Sequence, residues 1–417
     1  MKFSKKIALL GASALFSLGV LAACGNNSKS DSESKELTFW YMGDGDQGIK
    51  PIIDDFTKET GIKVKIQSIP WSSSRDKLLT AVASKSGPDV VQMGTSYMSE
   101  FVDAGALVDL SDKIKDNDVL KTSNFFDGSV ATTEFDGKYY AVPWYTETRA
   151  LYYRSDLLKS VGYNEAPKTW EELADAAKKL AARGEGKYGF NVDAAEPTFG
   201  FMFARQNGSE LFSKKNEPLF NKPAMVDAVK YLDSMIKDGS APSTNLGLDI
   251  GQSFGGEGIV PMFISGPWMI NSIKDAAPDI DGKWNVAELP SGKDGNTSIT
   301  GGANLAVFSS SKKQDDAVKL IEFLSKPDNQ TKFFESTNSL PTNKDAWKND
   351  TFTSNKMISV FGKQLENSQP VPALKQWDEI AQNYLKQWEQ IVSNGKDVQK
   401  AMDELNTETE TLLKNKK

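Results

Sequence analysis

From Leu37 to Met93 the apolar residues switch back and forth between two periods, and this limits the fold more than any other feature. "LTFWYM", starting at Leu37, reads as a strand. Ile49, Ile52, Ile53 and Phe56 then fall at i, i+3, i+4 and i+7, a helical stripe that Gly61 stops. "VKIQSI" is a second strand. Leu78, Leu79 and Val82 mark a second helix, started by the serines at 72–74 and ended near Gly87, and "PDVVQM" follows as a short buried strand. A β-α-β-α-β order predicts an α/β fold, a mostly parallel sheet with helices on it.

A second α/β region begins near Leu151. Thr169 and Glu172 have capping-box spacing and open a helix with Leu173, Ala176, Ala177 and Leu180 on one face. "KYGFNV" reads as a strand. Val229, Leu232, Met235 and Ile236 form another helical stripe, and Ile380 to Ile391 a long amphipathic helix, with Trp170 and Trp388 as core residues. About 380 residues exceed what one hydrophobic core holds, so two domains are expected.

The N-terminus resembles a bacterial lipoprotein signal. Lys2, Lys5 and Lys6 precede an apolar stretch too short for a membrane span, and "LAAC" ends at Cys24, the one cysteine of 417 residues. Residues 1–23 are expected to be removed and Cys24 acylated (a palmitate-type anchor), with residues 24–36 as a polar tether on the outer face of a Gram-positive-like cell membrane. Loss of the three lysines takes the formal charge from −7 to −10. An acidic body without a basic cluster argues against nucleic acid as a partner. The chain also has no histidine, which excludes Ser-His-Asp and Cys-His catalysis and the usual zinc sites.

From Leu37 to about Asn406 the chain resembles the solute-binding proteins of carbohydrate ABC importers, the broad family that includes maltose-binding protein. The stretches that carry this include "SGPDVVQMGTSYMSEFVDAGALVDL", "GKYYAVPWYTETRALYYRSDLL", "PKTWEELADAAKKL", "MFISGPWMI" and "GGANLAVF". The resemblance implies a two-lobed fold of the periplasmic-binding-protein type, each lobe a mostly parallel sheet with flanking helices and a ligand cleft between. Lobe one would be 37–147 plus 304–341, and lobe two 148–303 plus 342–417. It further implies a monomeric binder without cofactor or resident metal, partnered by a carbohydrate ligand and by membrane permease subunits.

A sugar site mixes aromatic faces with hydroxyl-binding polar groups, and the loops at strand ends supply such candidates. Trp40, Asp44 and Gln47 surround the first loop, where Trp40 either faces ligand or alternates into the core. Its "DGDQG" lacks a calcium loop's ligands, having Gly48 and Ile49 at the fifth and sixth positions. Trp71 and Arg75 lie beside serines that read as helix caps. Thr95 and Tyr97 follow the third strand, where the maltose group has an Asp-Arg pair. Tyr145, Glu147 and Arg149 alternate onto one face of the crossing segment. Gly302 and Asn304 sit at the return crossing, where glycine permits a close approach. Trp377 matches an aromatic platform of the family, against core packing as the plain alternative. Trp268 follows Gly266-Pro267 at the carboxyl end of a probable strand, which places it at a cleft mouth, and the family carries a stacking tryptophan at the matching place. The alternatives are a binder of the same fold for a metal, polyamine or phosphate ester, and a surface glycoside hydrolase using two carboxylates.

Overall fold

The computed structural model describes residues 36–414 apart from residue 44. The signal segment, Cys24, almost all of the tether and Asp44 therefore lie outside the described residues. Twelve strands follow in chain order: β1 Glu36–Met42, β2 Lys63–Ile69, β3 Val90–Gly94, β4 Glu134–Phe135, β5 Lys138–Tyr139, β6 Val142–Glu147, β7 Ala150–Arg154, β8 Met262–Ser265, β9 Trp284–Ala287, β10 Ser298–Val307, β11 Leu340–Pro341 and β12 Ser368–Pro370.

The larger sheet has the order β11-β6-β10-β3-β1-β2, with β12 pairing on β10, and the smaller has the order β8-β7-β9. β1 is parallel to β2 and β3, as the β-α-β-α-β reading requires, while β10 is antiparallel to both β3 and β6. Neither sheet is mostly parallel as expected: in the larger, β11-β6, β6-β10 and β10-β3 are antiparallel and only β3-β1, β1-β2 and β10-β12 are parallel, and in the smaller β7 is antiparallel to β8 and to β9. The reason lies in the path of the chain. β7 runs away from the link with the larger sheet, and β8 and β9 both run back towards it.

Both sheets are covered on two faces. Phe39, Tyr41, Val90 and Leu305 enter one cluster with the helix Lys50–Thr60, and Met42, Val91, Met93 and Ala306 enter another with Leu78 and Phe101. Leu151, Met262 and Ile264 face a helical core holding Leu173, Leu232 and Ile380, and Tyr152, Phe263, Trp284 and Val286 face the opposite way. This is period-two alternation with both sides buried.

Some helix ends follow local chemistry. Lys50–Thr60 buries Ile52, Ile53 and Phe56 and stops at Gly61, whose φ of 73° is left-handed. Thr169 accepts a hydrogen bond from the Glu172 N–H to open Trp170–Ala181, and Leu173, Ala176, Ala177 and Leu180 are buried there. The helices Pro223–Lys237 and Trp377–Asn394 bury most of the stripes expected of them, with Ile236 half-buried.

Two readings are corrected. The helix Trp71–Ser84 starts directly after Pro70 without a side-chain cap. The Ser73 and Ser74 hydroxyls donate backwards to the Pro70 and Trp71 carbonyls at 3.2 and 2.8 Å, so they lie within the first turn instead of capping it. "KYGFNV" is irregular, tied by Tyr188 N–H to the Ile259 carbonyl and Asn191 N–H to the Met262 carbonyl. Gly189 brings it onto the backbone of Trp170–Ala181, where a Cβ would fall 2.0 Å from the Ala177 oxygen. That close packing on a helix replaces a continuous ladder.

Candidate functional site

The link between the two sheets is Thr148 and Arg149, since β6 ends at Glu147 and β7 begins at Ala150. Thr146 and Thr148 are buried, whereas Tyr145, Glu147 and Arg149 keep some access to solvent. The alternation therefore puts those three on one side. That side is a cavity of about 320 Å³, shared with Trp71, Gly94, Thr95 and Tyr97 near the end of β3, with Gly301 and Gly302 of β10, and with Glu196 and Thr198. Residues attached to both sheets thus line one space, at the carboxyl end of β3 as open α/β sheets favour.

Each wall is held by specific contacts. The buried Gln92 amide accepts from the Met42 N–H and donates to the Tyr145 hydroxyl at 3.1 Å, which fixes the tyrosine ring. Burial, and next the charge of Glu147, push the Tyr145 hydroxyl up, so it remains a neutral donor and acceptor. Gly94 lets Trp71 lie close, because a Cβ there would come 3.1 Å from the indole. Arg75, a weaker candidate, is engaged by Glu100 through two hydrogen bonds of 2.9 and 2.7 Å and ties one helix to the next.

Arg149 is the electrostatic centre. Nη1 is 3.8 Å from Glu147 Oε1, Nη2 is 3.4 Å from Glu196 Oε2, and the guanidinium carbon lies 4.9 Å from the Trp268 ring centroid. Nη1 is buried and makes no hydrogen bond among the described residues. Burial raises the Glu196 carboxyl, but the Thr198 hydroxyl at 2.6 Å and the Arg149 charge outweigh this and leave it lowered. Glu196 is therefore an ionised acceptor at neutral pH, suited to receiving hydroxyl protons.

Trp268 lines an adjoining cavity of about 230 Å³ that shares Arg149, Glu196, Thr198 and Ile299 with the first. Register brings it there. Ser265, the last residue of β8, pairs with Ala150, so Gly266-Pro267 turns beside Arg149. The Tyr152 hydroxyl donates to the Gly266 carbonyl at 2.7 Å and anchors that turn. Trp268 rests against Gly266 and stays 39% exposed, as does Trp71 across the cleft. For aromatic residues of this size, such exposure at a concave site is what a ligand platform needs.

Four expected residues are elsewhere. Trp40 packs on the Met42 and Val91 side of β1, under the Lys77 ammonium 5.0 Å from its ring, so strand alternation takes it towards the core. Gln47 is exposed beyond β1 and lines none of these cavities. Asn304 is buried at a β-bulge, hydrogen-bonds Thr132 at 3.0 Å and lines neither cavity. Trp377 is 3% exposed and packs on Phe201 at 4.9 Å between centroids, a core contact of its helix. Sequence reading missed Glu196 and Thr198, which line the cavity. They lie shortly after "KYGFNV", so the carboxyl-end rule applied to the strand expected there would have found them.

The chain matches a family model described as bacterial extracellular solute-binding protein over residues 40–331. It is 27% identical to the galactooligosaccharide-binding protein of Bacillus subtilis, over 97% of this chain and 96% of that one. With the maltooligosaccharide ABC transporter solute-binding lipoprotein of Streptococcus pneumoniae the identity is 28%, over 100% and 99%. The sugar-binding protein MalE from Xanthomonas citri superposes with a TM-score of 0.87 at 30% identity, over 91% of this chain and 98% of that structure.

Proposed function

Since the chain belongs to the bacterial extracellular solute-binding protein family, we propose that it captures an oligosaccharide in the cleft around Arg149 and delivers it to the permease of an ABC importer. The observation that carries this reading is the pair of half-exposed tryptophans, Trp71 and Trp268, on either side of ionised and hydroxyl groups. Aromatic faces take the C–H face of a sugar ring, and Glu147, Arg149, Glu196 and the Tyr145 hydroxyl take its hydroxyls. The ligand set proposed is Trp71, Thr95, Tyr97, Tyr145, Glu147, Arg149, Glu196, Trp268 and Gly302.

The mechanism is a clamp. Lobe one, 37–147 plus 304–341, and lobe two, 148–303 plus 342–417, rotate about Thr148-Arg149 and β10. Contacts from both lobes favour the closed form, and the shift is limited by the difference in affinity between closed and open forms. The chain acts as a monomer, without cofactor, held at the outer membrane face through lipidated Cys24. Cys24→Ala should move it from the membrane fraction to the medium.

A thermal-shift and calorimetry screen over mono- and oligosaccharides tests the reading. A ligand that binds the folded state alone raises Tm by mass action. At least one sugar should do so; a shift by polyamines, metal ions or peptides with none by sugars would overturn it.

A further inference from the structure

Next to the cleft lies another cavity, of about 300 Å³, which shares Thr95, Ser96 and Val371 with it and is closed by Ser99, Thr132, Arg205 and the segment 369–373. We propose that this cavity is a subsite for an anionic substituent, a carboxylate or phosphate, carried by the saccharide in the cleft, with Arg205 as its counter-ion. This rests on the oligosaccharide reading above and narrows it to acidic saccharides.

The chain has five arginines. Arg75, Arg149 and Arg154 each meet a carboxylate within 4 Å, and Arg183 donates to four backbone carbonyls. Among the described residues Arg205 has no such ion pair. Its one hydrogen bond runs from Nη1 to the Gln369 carbonyl at 3.2 Å, and its Nε is buried without a partner. Glu210 acts on it only through space, and burial draws its guanidinium down to about 10, which still leaves it cationic at neutral pH. A charge withdrawn from water without a partner is unfavourable and is relieved when an anion arrives.

The neighbouring groups suit that anion. The hydroxyls of Thr95, Ser96 and Ser99 line the same space, and their side chains make no hydrogen bond to the described residues. They are donors for oxyanion oxygens. Charge along the whole cleft is also unequal. The Trp268 end sets Glu147, Glu196 and Asp193 against Arg149, whereas the other end has Arg205 and no acidic residue in its lining. A saccharide with one acidic end is thereby oriented, with that end at Arg205.

The test is calorimetry on the purified protein with disaccharides offered neutral, with a terminal uronate, or as the 6-phosphate, and with inorganic phosphate alone. At least one acidic form should bind about tenfold or more tighter than its neutral parent. Arg205→Gln should bring the two within about threefold while leaving the neutral parent's affinity unchanged, and Arg205→Lys should restore part of the preference. Should the glutamine variant not fold, the wild-type preference must fall with added salt. The proposal is overturned if no acidic form outbinds its parent, if Arg205→Gln weakens both forms alike, if the preference is indifferent to salt, or if inorganic phosphate binds and acidic sugars do not. Failure of the oligosaccharide reading looks different, since then neither neutral nor acidic disaccharides bind.

Discussion

The Arg149 guanidinium carbon lies 4.9 Å from the centroid of the Trp268 ring, although 119 positions separate them in the chain. The pairing of Ala150 with Ser265 sets this contact, so a one-residue slip of β8 would turn its side chains to the other face. Trp268→Ala should weaken sugar binding by about 2 kcal/mol or more, roughly 30-fold. Because the indole is 39% exposed, the unliganded Tm should barely move. Calorimetry beside a melt decides: normal affinity with a much lower Tm would make this a core residue.

Gly301 and Gly302 are adjacent yet should respond differently to alanine. At Gly302 φ is 113° and a Cβ would lie 2.3 Å from the Tyr145 carbonyl oxygen, so both conformation and space forbid it. Gly302→Ala should cost about 2 kcal/mol or more in denaturant unfolding. At Gly301 the Cβ would meet the mobile end of Glu147 at 2.6 Å. Gly301→Ala should keep stability within about 1 kcal/mol while shifting sugar affinity; equal losses of stability would contradict the distinction.

Trp377→Ala should act on stability alone. Its ring is enclosed by Phe201 and the core of its own helix, so truncation opens a cavity and should cost about 3 to 5 kcal/mol. Sugar affinity of the folded fraction should match wild type, and a lost affinity with unchanged Tm would return Trp377 to the cleft.

Acid should loosen the lobe that holds Glu196. Its folded-state carboxyl is lowered relative to the ordinary value of 4.5. The stabilisation is therefore complete above that ordinary value and is lost as pH falls through the lower, folded one. Glu196→Gln removes a titrating group, so its Tm should fall less than that of wild type between neutral pH and the range below 4.5. Parallel Tm profiles for the two proteins would refute this.

Periodicity revealed the elements and resemblance revealed the crossing, each for a physical reason. Ile52, Ile53 and Phe56, or Leu173, Ala176 and Leu180, are buried because one helical face meets a sheet, and that requirement is written locally. Tyr145, Glu147 and Arg149 were legible because alternation in an extended segment is equally local. What remained hidden depends on distant partners. Trp40 and Trp377 have the composition of ligand platforms, but only distant packing, of the half-buried Trp40 against the Met42 side and of the buried Trp377 against Phe201, shows that they are engaged elsewhere. Asn304 turns inward at a bulge towards Thr132, 172 positions earlier, which no window of sequence displays. The orientation of the smaller sheet was likewise set by where β8 and β9 return.

β10 lies between β3 and β6, though the chain makes both of those long before it. In a polypeptide that leaves the cell amino end first, β3 and β6 therefore emerge with bare inner edges, and no local pairing can close the gap between them. Folding of the first half must wait for residues 298–307, so it follows export of most of the chain instead of keeping pace with it. A chain cut at residue 297 should show neither a cooperative melt nor protease resistance, however long it is given to fold.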